Sequence, residues 1–483
     1  MGNKKYQVDY ENSFSVQLSE ELASNIPKLL IFVQENIAAK KFIKLKKALE
    51  LIQPADISEL FDELTPSDMA IIFRLLPKNI AAETFIELNS SQQNYLLEIL
   101  TDKELKEITD ELFLDDFADL IEEMPSNVVK RILRTVDPVK RQKVNILLGY
   151  PKDSAGSIMT TEYINLHHYL TVEECLHKIR EQAMDKETIY TCYVTDEENK
   201  LIGVVTLKDL FTHPLNIKIG SIMDTNVISA TTDADQEQVV GLLSKYDFLA
   251  IPITDTENHM VGIVTIDDAL DVMQEEATED IPRMAAIIPE EKAYFETSVL
   301  STSKSRAPWL LFLMISATFS SVILTKFENQ LSVISVLLVA SIPMLMDTGG
   351  NAGSQSSTTI IRGLVLQEVG MKDLKKVVWK EIKIGILLGA ALAFVCFIKL
   401  LIVDGLILGT IDITASYGLL TAFTVSLAIF LTVVIAKLTG GILPLIAKKF
   451  KLDPTVMASP LITTIVDILA LLIFCYIAIA ILG

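Results

Sequence analysis

Positive charge is scarce in this 483-residue chain: 42 Lys and Arg stand against 62 Asp and Glu, a net charge of −20. The shortage is local, for residues 1–300 hold 28 basic and 53 acidic groups, whereas residues 301–483 hold 14 and 9. Such an acidic stretch argues against nucleic acid as a partner, because phosphates need cations around them, and it suits the binding of positive ions. Cysteine is equally scarce. Cys175, Cys192, Cys396 and Cys475 are scattered without paired spacing, which points to neither a disulfide framework nor a zinc site. The five histidines, His167, His168, His177, His213 and His259, have no ligand spacing. There is no GxxxxGK[ST] loop, no HExxH pair and no nucleophile–base pair, so the chain reads as a non-enzyme. Its first dozen residues are polar and lack the apolar core of a signal peptide.

Apolar residues, by contrast, make up 50% of the chain, and mean hydropathy reaches +0.39 despite 22% charged residues, so the two kinds must be segregated. Five apolar segments follow residue 300: Pro308–Leu324, Leu331–Met346, Ile382–Val403, Tyr417–Ile446 and Val456–Leu482. Most approach the ~20 residues that cross ~30 Å of hydrocarbon. Lys326, Glu328, Asn329 and Gln330 separate the first two and predict a short hairpin turn. Basic residues cluster before the first span (Lys304, Arg306), after the second (Arg362, Lys372, Lys375, Lys376, Lys380, Lys383) and after the fourth (Lys448, Lys449, Lys451). The loop after the third span and the final tail have none. The excess of basic residues on the inner side puts the N-terminus and the acidic half in the cytoplasm and the C-terminus outside. Reduced, unpaired cysteines fit that compartment.

Two internal repeats organise the acidic half. The first has a period of about 12 residues, with breaks near Pro54, Pro66, Pro77, Asn89, Thr101, Phe113 and Pro125. Short amphipathic runs between helix-starting residues predict a small α-solenoid, preceded by one longer helix from about Ser24 to Leu51. In the second repeat Thr195, Asp196, Asn199, Gly203, Thr206 and Asp209 recur at one offset as Thr254, Asp255, Asn258, Gly262, Thr265 and Asp268. Upstream, Ser157-Ile158-Met159 recurs as Ser221-Ile222-Met223. This pair resembles tandem CBS domains, β-α-β-β-α modules that often bind adenine nucleotides. The resemblance implies Asp209 as a ribose carboxylate, with Tyr190 and Phe248 flanking a base. A ligand-free dimerisation module is the alternative.

Two membrane segments carry unusual chemistry. The second span continues into PMLMDTGGNAGSQSSTTIIRG, Pro343 to Gly363. Irregular or polar backbone at membrane depth is tolerated only against protein or a water-filled cavity. Gly349, Gly350 and Gly353 permit close backbone approach, and Asn351, Ser354, Gln355, Ser356 and Ser357 add a polar lining, with Asp347 at the edge. Plain small-residue helix packing is the competing explanation. The last segment begins DPTVMASPLITTIVDILALL. Asp453-Pro454 suits a helix start, and Asp467 follows fourteen residues later, about 21 Å along a helix, near the bilayer centre. A carboxylate there costs on the order of 2.5–3.5 kcal/mol, which a cation pathway explains. Thr463 shares its helix face.

PMLMDTGGNAGSQSSTTIIRG together with DPTVMASPLITTIVD resembles the MgtE magnesium channels, and the order of the parts is similar along nearly the whole chain. The resemblance implies a multi-domain membrane protein. Its parts would be an α-helical N-terminal solenoid (1–150), tandem α/β CBS domains (151–214 and 215–274), a linking or plug helix (275–304) and a five-helix transmembrane pore domain (305–483). It implies a homodimer in the lipid of the cell membrane, with a Mg²⁺ pore lined by spans two and five. Asp467, Asn351, Gly349, Gly350 and Thr463 would contact the hydrated ion, since Mg²⁺ keeps its water and takes one or two carboxylates. It also implies regulatory Mg²⁺ at Glu83, Asp115, Asp235, Asp247, Asp268, Asp271, Glu276, Glu279, Asp280 and Asp453, which would lock a closed state when cytosolic Mg²⁺ is high. An ion-coupled transporter and a nucleotide sensor with a membrane anchor are the other readings.

Overall fold

The computed structural model describes residues 25–290, 294, 297–366, 368–410, 412, 415–457 and 459–483. The first 24 residues of the expected helical domain, and 291–293, 295 and 296 of the expected linking helix, lie outside the described residues. The chain divides into two compact units, Met1–Met273 and Gln274–Gly483.

The first unit opens with short helices whose starts follow the 12-residue breaks: Pro54–Asp62, Pro66–Leu75, Lys78–Ile86, Ser90–Ile99, Asp102–Glu111, Leu114–Glu123, Ser126–Thr135 and Pro138–Leu147. Proline occupies the first turn at residues 54, 66 and 138, where its missing N–H costs nothing. Asn89 and Thr101 form capping boxes with Gln92 and Glu104. Helices pack on the one two places along, burying Leu60, Phe73, Phe85, Leu96 and Phe117 in one core. Basic side chains reach across the stack to helices two and three places away: Arg74 donates to the Ile99 carbonyl and Lys140 to that of Thr109. The single helix expected over Ser24 to Leu51 is instead two, Ile26–Ala38 and Phe42–Leu49. Lys40, at φ 51°, breaks them.

The repeat that follows forms two matching three-stranded sheets. In the first, β1 (Asn165–His167) runs parallel to β2 (Thr191–Thr195), which pairs antiparallel with β3 (Leu201–Thr206). In the second, β4 (Ala230–Thr231), β5 (Ala250–Thr254) and β6 (Met260–Thr265) repeat the order, down to a bulge at the same place. The recurring residues now have reasons. Asp196 Oδ1 accepts from the Glu198 and Lys200 amides, and Asp255 Oδ1 from those of Glu257 and His259, closing each hairpin. Asn199 and Asn258 take positive φ in those turns, which asparagine tolerates. They also join the two modules reciprocally: Asn199 Nδ2 donates to the Met260 carbonyl and Asn258 Nδ2 to that of Leu201. The repeated methionines pack crosswise, because a Cβ on Gly262 would strike Met159 and one on Gly203 would strike Met223.

Among its described residues the second unit holds five long helices: Val299–Ile334, Val336–Val365, Leu374–Lys399, Ser416–Lys449 and Ser459–Leu482. Among the described residues, four of these helices are long and apolar enough to cross a membrane. The other, Val336–Val365, carries the glycine-rich polar run in its second half. No hairpin forms at Lys326–Gln330, since none of those residues breaks a helix; the first span runs on to Ile334, and extended Ser335 makes the break. The linking helix expected over 275–304 is also not continuous. The helix Ile266–Met284 contains Pro282 and stops before Ala286, at φ 56°; helix resumes at Val299, capped by Ser298.

Glycines set the packing of spans two, four and five. A Cβ on Gly349 would meet Thr432 and Val466, one on Gly353 would meet Ile462 and Val466, and one on Gly440 would overlap the Gly353 carbonyl oxygen. Close helix approach therefore accounts for Gly349 and Gly353.

Candidate cation sites

The second span sorts its residues by face. Gly349, Gly350, Gly353, Ser356 and Ser357 are buried, whereas Asp347, Asn351, Gln355 and Thr358 are exposed. The exposed four are spaced i, i+4, i+8 and i+11, a single helix face. Asp467 on the fifth span is half-buried and feels the charge of Asp347. It opens into a cavity of about 260 Å³ that Ser320, Ser321, Met346 and Thr464 also line. Asp347 is thus the residue that sequence reasoning left at the edge; its signal was the four-residue spacing to Asn351. Thr463, expected beside the ion, packs its methyl against Gly350 and bonds its hydroxyl back to the Pro460 carbonyl. Its neighbour Thr464 lines the cavity instead.

In the first unit, a second set of carboxylates meets where the helix Leu114–Glu123, the first module and the helix after β6 converge. Asp115 is only 5% exposed; burial, the charge of Asp268 and that of Asp116 raise its pKa well above the usual carboxylate range. Asp116 is pushed up to about 7 by burial and by Asp268, Asp267 and Asp271. Glu187 goes to about 8 by burial and by Asp268, Asp116 and Asp267. Its Oε2 is buried with no hydrogen-bond partner. Asp268 rises to about 6 through burial, against the downward pull of the Thr265 hydroxyl. Burial and Asp267 raise Asp271 as well. Asp115, Asp268 and Asp271 were expected here; Asp116, Asp267, Glu162 and Glu187 were not. The first two adjoin expected residues in sequence, and only the fold brings the glutamates in. Desolvated carboxylates facing one another favour protonation unless a cation joins them.

A third set lies in the second unit. Arg283, which sequence reasoning passed over, pairs with Asp453 Oδ2 at 2.7 Å and with Glu279. Asp453 Oδ1 caps the turn Pro454–Met457 by accepting from Thr455 N and Oγ1. Asp280 is pushed up to about 6 by burial, Asp453 and Glu276. Glu276, Glu279, Asp280 and Asp453 are therefore brought together as expected residues.

Three other expected ligands sit apart. Glu83 is exposed on Lys78–Ile86; Asp235 is exposed and caps its helix through the Glu237 amide; exposed Asp247 ends the same helix at φ 55°. Among the described residues, no three His, Cys, Asp or Glu side chains converge closely enough to hold a metal. At the expected nucleotide site, Tyr190 is 64% exposed, and its carbonyl accepts from the Leu207 amide at the start of the helix bearing Asp209. The Thr206 hydroxyl holds the Asp209 carboxyl below its usual pKa. Phe248 stacks on Tyr246 in the second module, ring centres 5.5 Å apart.

A bundle of membrane-length apolar helices with a half-buried carboxylate at Asp467, joined to an acidic part, is the make-up of a membrane-embedded cation transporter. Residues 342–477 match the family description "Divalent cation transporter" under the heading MgtE, 52–153 match the MgtE intracellular N domain, and 155–216 and 219–275 each match a CBS domain. The chain is 36% identical over 454 residues to the magnesium transporter MgtE of Thermus thermophilus, covering 93% of this chain and 98% of the other. It is 34% identical to that of Bacillus subtilis, covering 88% and 94%. Among solved structures it is similar to the cytosolic domain of the Mg²⁺ channel MgtE in complex with ATP, at 39% identity and TM-score 0.49, covering 50% of this chain and 99% of that one. The chain belongs to the MgtE family.

Proposed function

We propose that this protein is a Mg²⁺-selective channel of the cell membrane that admits magnesium and is closed by cytosolic Mg²⁺. The carrying observation is the Asp347–Asn351 stripe of span two beside Asp467 of span five, a polar face exposed in a membrane unit. Such a face needs water or a second copy of the chain against it. A homodimer supplies both, with ions passing between paired Asp467 carboxylates. Mg²⁺ dehydrates reluctantly, so one or two carboxylates acting through its water shell are enough to select it. The magnesium transporters to which the chain is similar support that cargo. Lys and Arg in the loops after spans two and four support a cytoplasmic acidic unit and an external C-terminus.

Closure follows from the two cytosolic carboxylate sets. At high Mg²⁺, ions join Asp115, Asp268 and their neighbours, and compete with Arg283 around Asp453, Glu279 and Asp280. At low Mg²⁺ the carboxylates repel, and the conducting state gains population. The shift requires tighter Mg²⁺ binding by the closed state. An adenine nucleotide stacked on exposed Tyr190 with its ribose near Asp209 is a further ligand of the first module; isothermal titration with ATP against Tyr190→Ala tests it. Single-channel recording tests the main reading: discrete Mg²⁺ current steps that vanish at high cytosolic Mg²⁺ support it, whereas saturable proton-coupled flux overturns it in favour of an ion-coupled transporter.

A further inference from the structure

Two buried charged side chains in the membrane unit belong to neither the ion face nor the cytosolic sites. Glu381 on the third span is 5% exposed and Lys437 on the fourth is 4% exposed. Ionisable groups at such places are costly and are kept for a purpose. Both reach the same point on the second span. Ser356 Oγ donates to Glu381 Oε2 at 2.6 Å, and Lys437 Nζ donates to Gln355 Oε1 at 3.0 Å. The two charges also attract one another. Gln355 and Ser356 are consecutive, so they point about 100° apart around the helix. Added to the glycine packing, two polar contacts from different helices in different directions oppose both rotation and sliding of the span. At this level Gly353 and Gly440 bring spans two and four into backbone contact. Asn351 lies one turn from Gln355 on the same exposed face, about 6 Å along the axis.

We infer that Glu381 and Lys437 are positioning residues that clamp the second span and hold Asn351 and Asp347 at one depth and rotation toward the ion. The inference rests on the reading of that span as pore-lining. Apolar residues would pack these helices without the cost of burying charge, and the clamp supplies what they cannot, a fixed register.

The test uses the full chain in planar bilayers, with Ser356→Ala, Glu381→Gln, Lys437→Gln and the double variant Glu381→Gln/Lys437→Gln. Unitary Mg²⁺ conductance and the Mg²⁺/Ca²⁺ permeability ratio are read at matched amounts of folded protein. Each single variant is expected to change one of these by roughly tenfold, the loss expected for a hydrogen bond to a charged group. The double variant should change it by less than the product of the singles, because it removes both charges together. A merely structural role would lower the yield of folded protein and leave conductance and ratio alone; that result overturns the inference. If Glu381→Gln does not fold, Ser356→Ala, which removes only a hydroxyl, decides the matter. Asp467→Asn is the separate arm. Loss of current there with unchanged Ser356→Ala and Lys437→Gln sinks the clamp alone, whereas normal current in Asp467→Asn sinks the pore reading.

Discussion

In the first unit, Asp115, Asp116, Glu187, Asp267, Asp268 and Asp271 largely face one another, with Lys140, Lys143 and Lys186 acting mainly on neighbouring Glu162. In the membrane unit, where burying charge costs more, Glu381 takes a hydrogen bond from Ser356 and Asp404 an ion pair from Lys399 at 2.7 Å. Asp467 on the fifth span differs, for the charge it feels is that of another carboxylate, Asp347. The contrast separates structural charges from working ones. A charge answered by a fixed side chain stabilises a fold; carboxylates crowded mainly against one another favour protonation unless a cation joins them.

The sharpest way to break this contrast is Asp467→Asn, which removes the unanswered membrane carboxylate. Mg²⁺ uptake by a magnesium-starved host is expected to fall at least about tenfold, and normal rescue of growth would refute the role. Next comes Gly440→Ala, whose methyl would overlap the Gly353 carbonyl. Overpacking of this kind costs about 1–3 kcal/mol or more, so a clear drop in detergent melting temperature is expected, and an unchanged melt would contradict the close crossing.

A third experiment removes the metal. The pKa values of Asp116, Glu187 and Asp268 are raised to about 7, 8 and 6, so their stabilising contribution is full below the ordinary carboxylate range and is lost as pH rises through 6 to 8. In chelator, the cytosolic part should therefore melt lower at pH 8 than at pH 5, by an amount on the order of 2–4 kcal/mol. Millimolar Mg²⁺ should restore most of the difference at pH 8. A melt independent of pH and Mg²⁺ would show that the cluster is already neutralised. Asp116→Asn sharpens the same point, with a gain of about 1–2 kcal/mol in chelator and a smaller Mg²⁺ response by calorimetry. The smallest effect belongs to Arg283→Gln, which frees Asp453 and Glu279. A few-fold lower cytosolic Mg²⁺ concentration for half-closure is expected in patch recordings; a higher one would mean that Arg283 assists closure.

The sequence alone determined the local elements. Pro54, Pro66 and Thr101 start helices because their backbone and side-chain chemistry acts within one turn, and the Asp196/Asp255 and Asn199/Asn258 matches marked two copies of one hairpin. Apolar length marked the membrane region, and the lone mid-span carboxylate marked Asp467. Tertiary structure decided what depended on partners distant in the chain. It added Glu162 and Glu187 to the acidic cluster, set Arg283 against Asp453, brought Asp347 near enough for Asp467 to feel its charge, and gave Gly349 and Thr463 to packing. It also broke the helices expected over 24–51 and 275–304 at Lys40 and near Ala286. Helix chemistry is felt over a few residues, whereas burial and charge are felt across space, and only the folded chain fixes which charges share a space.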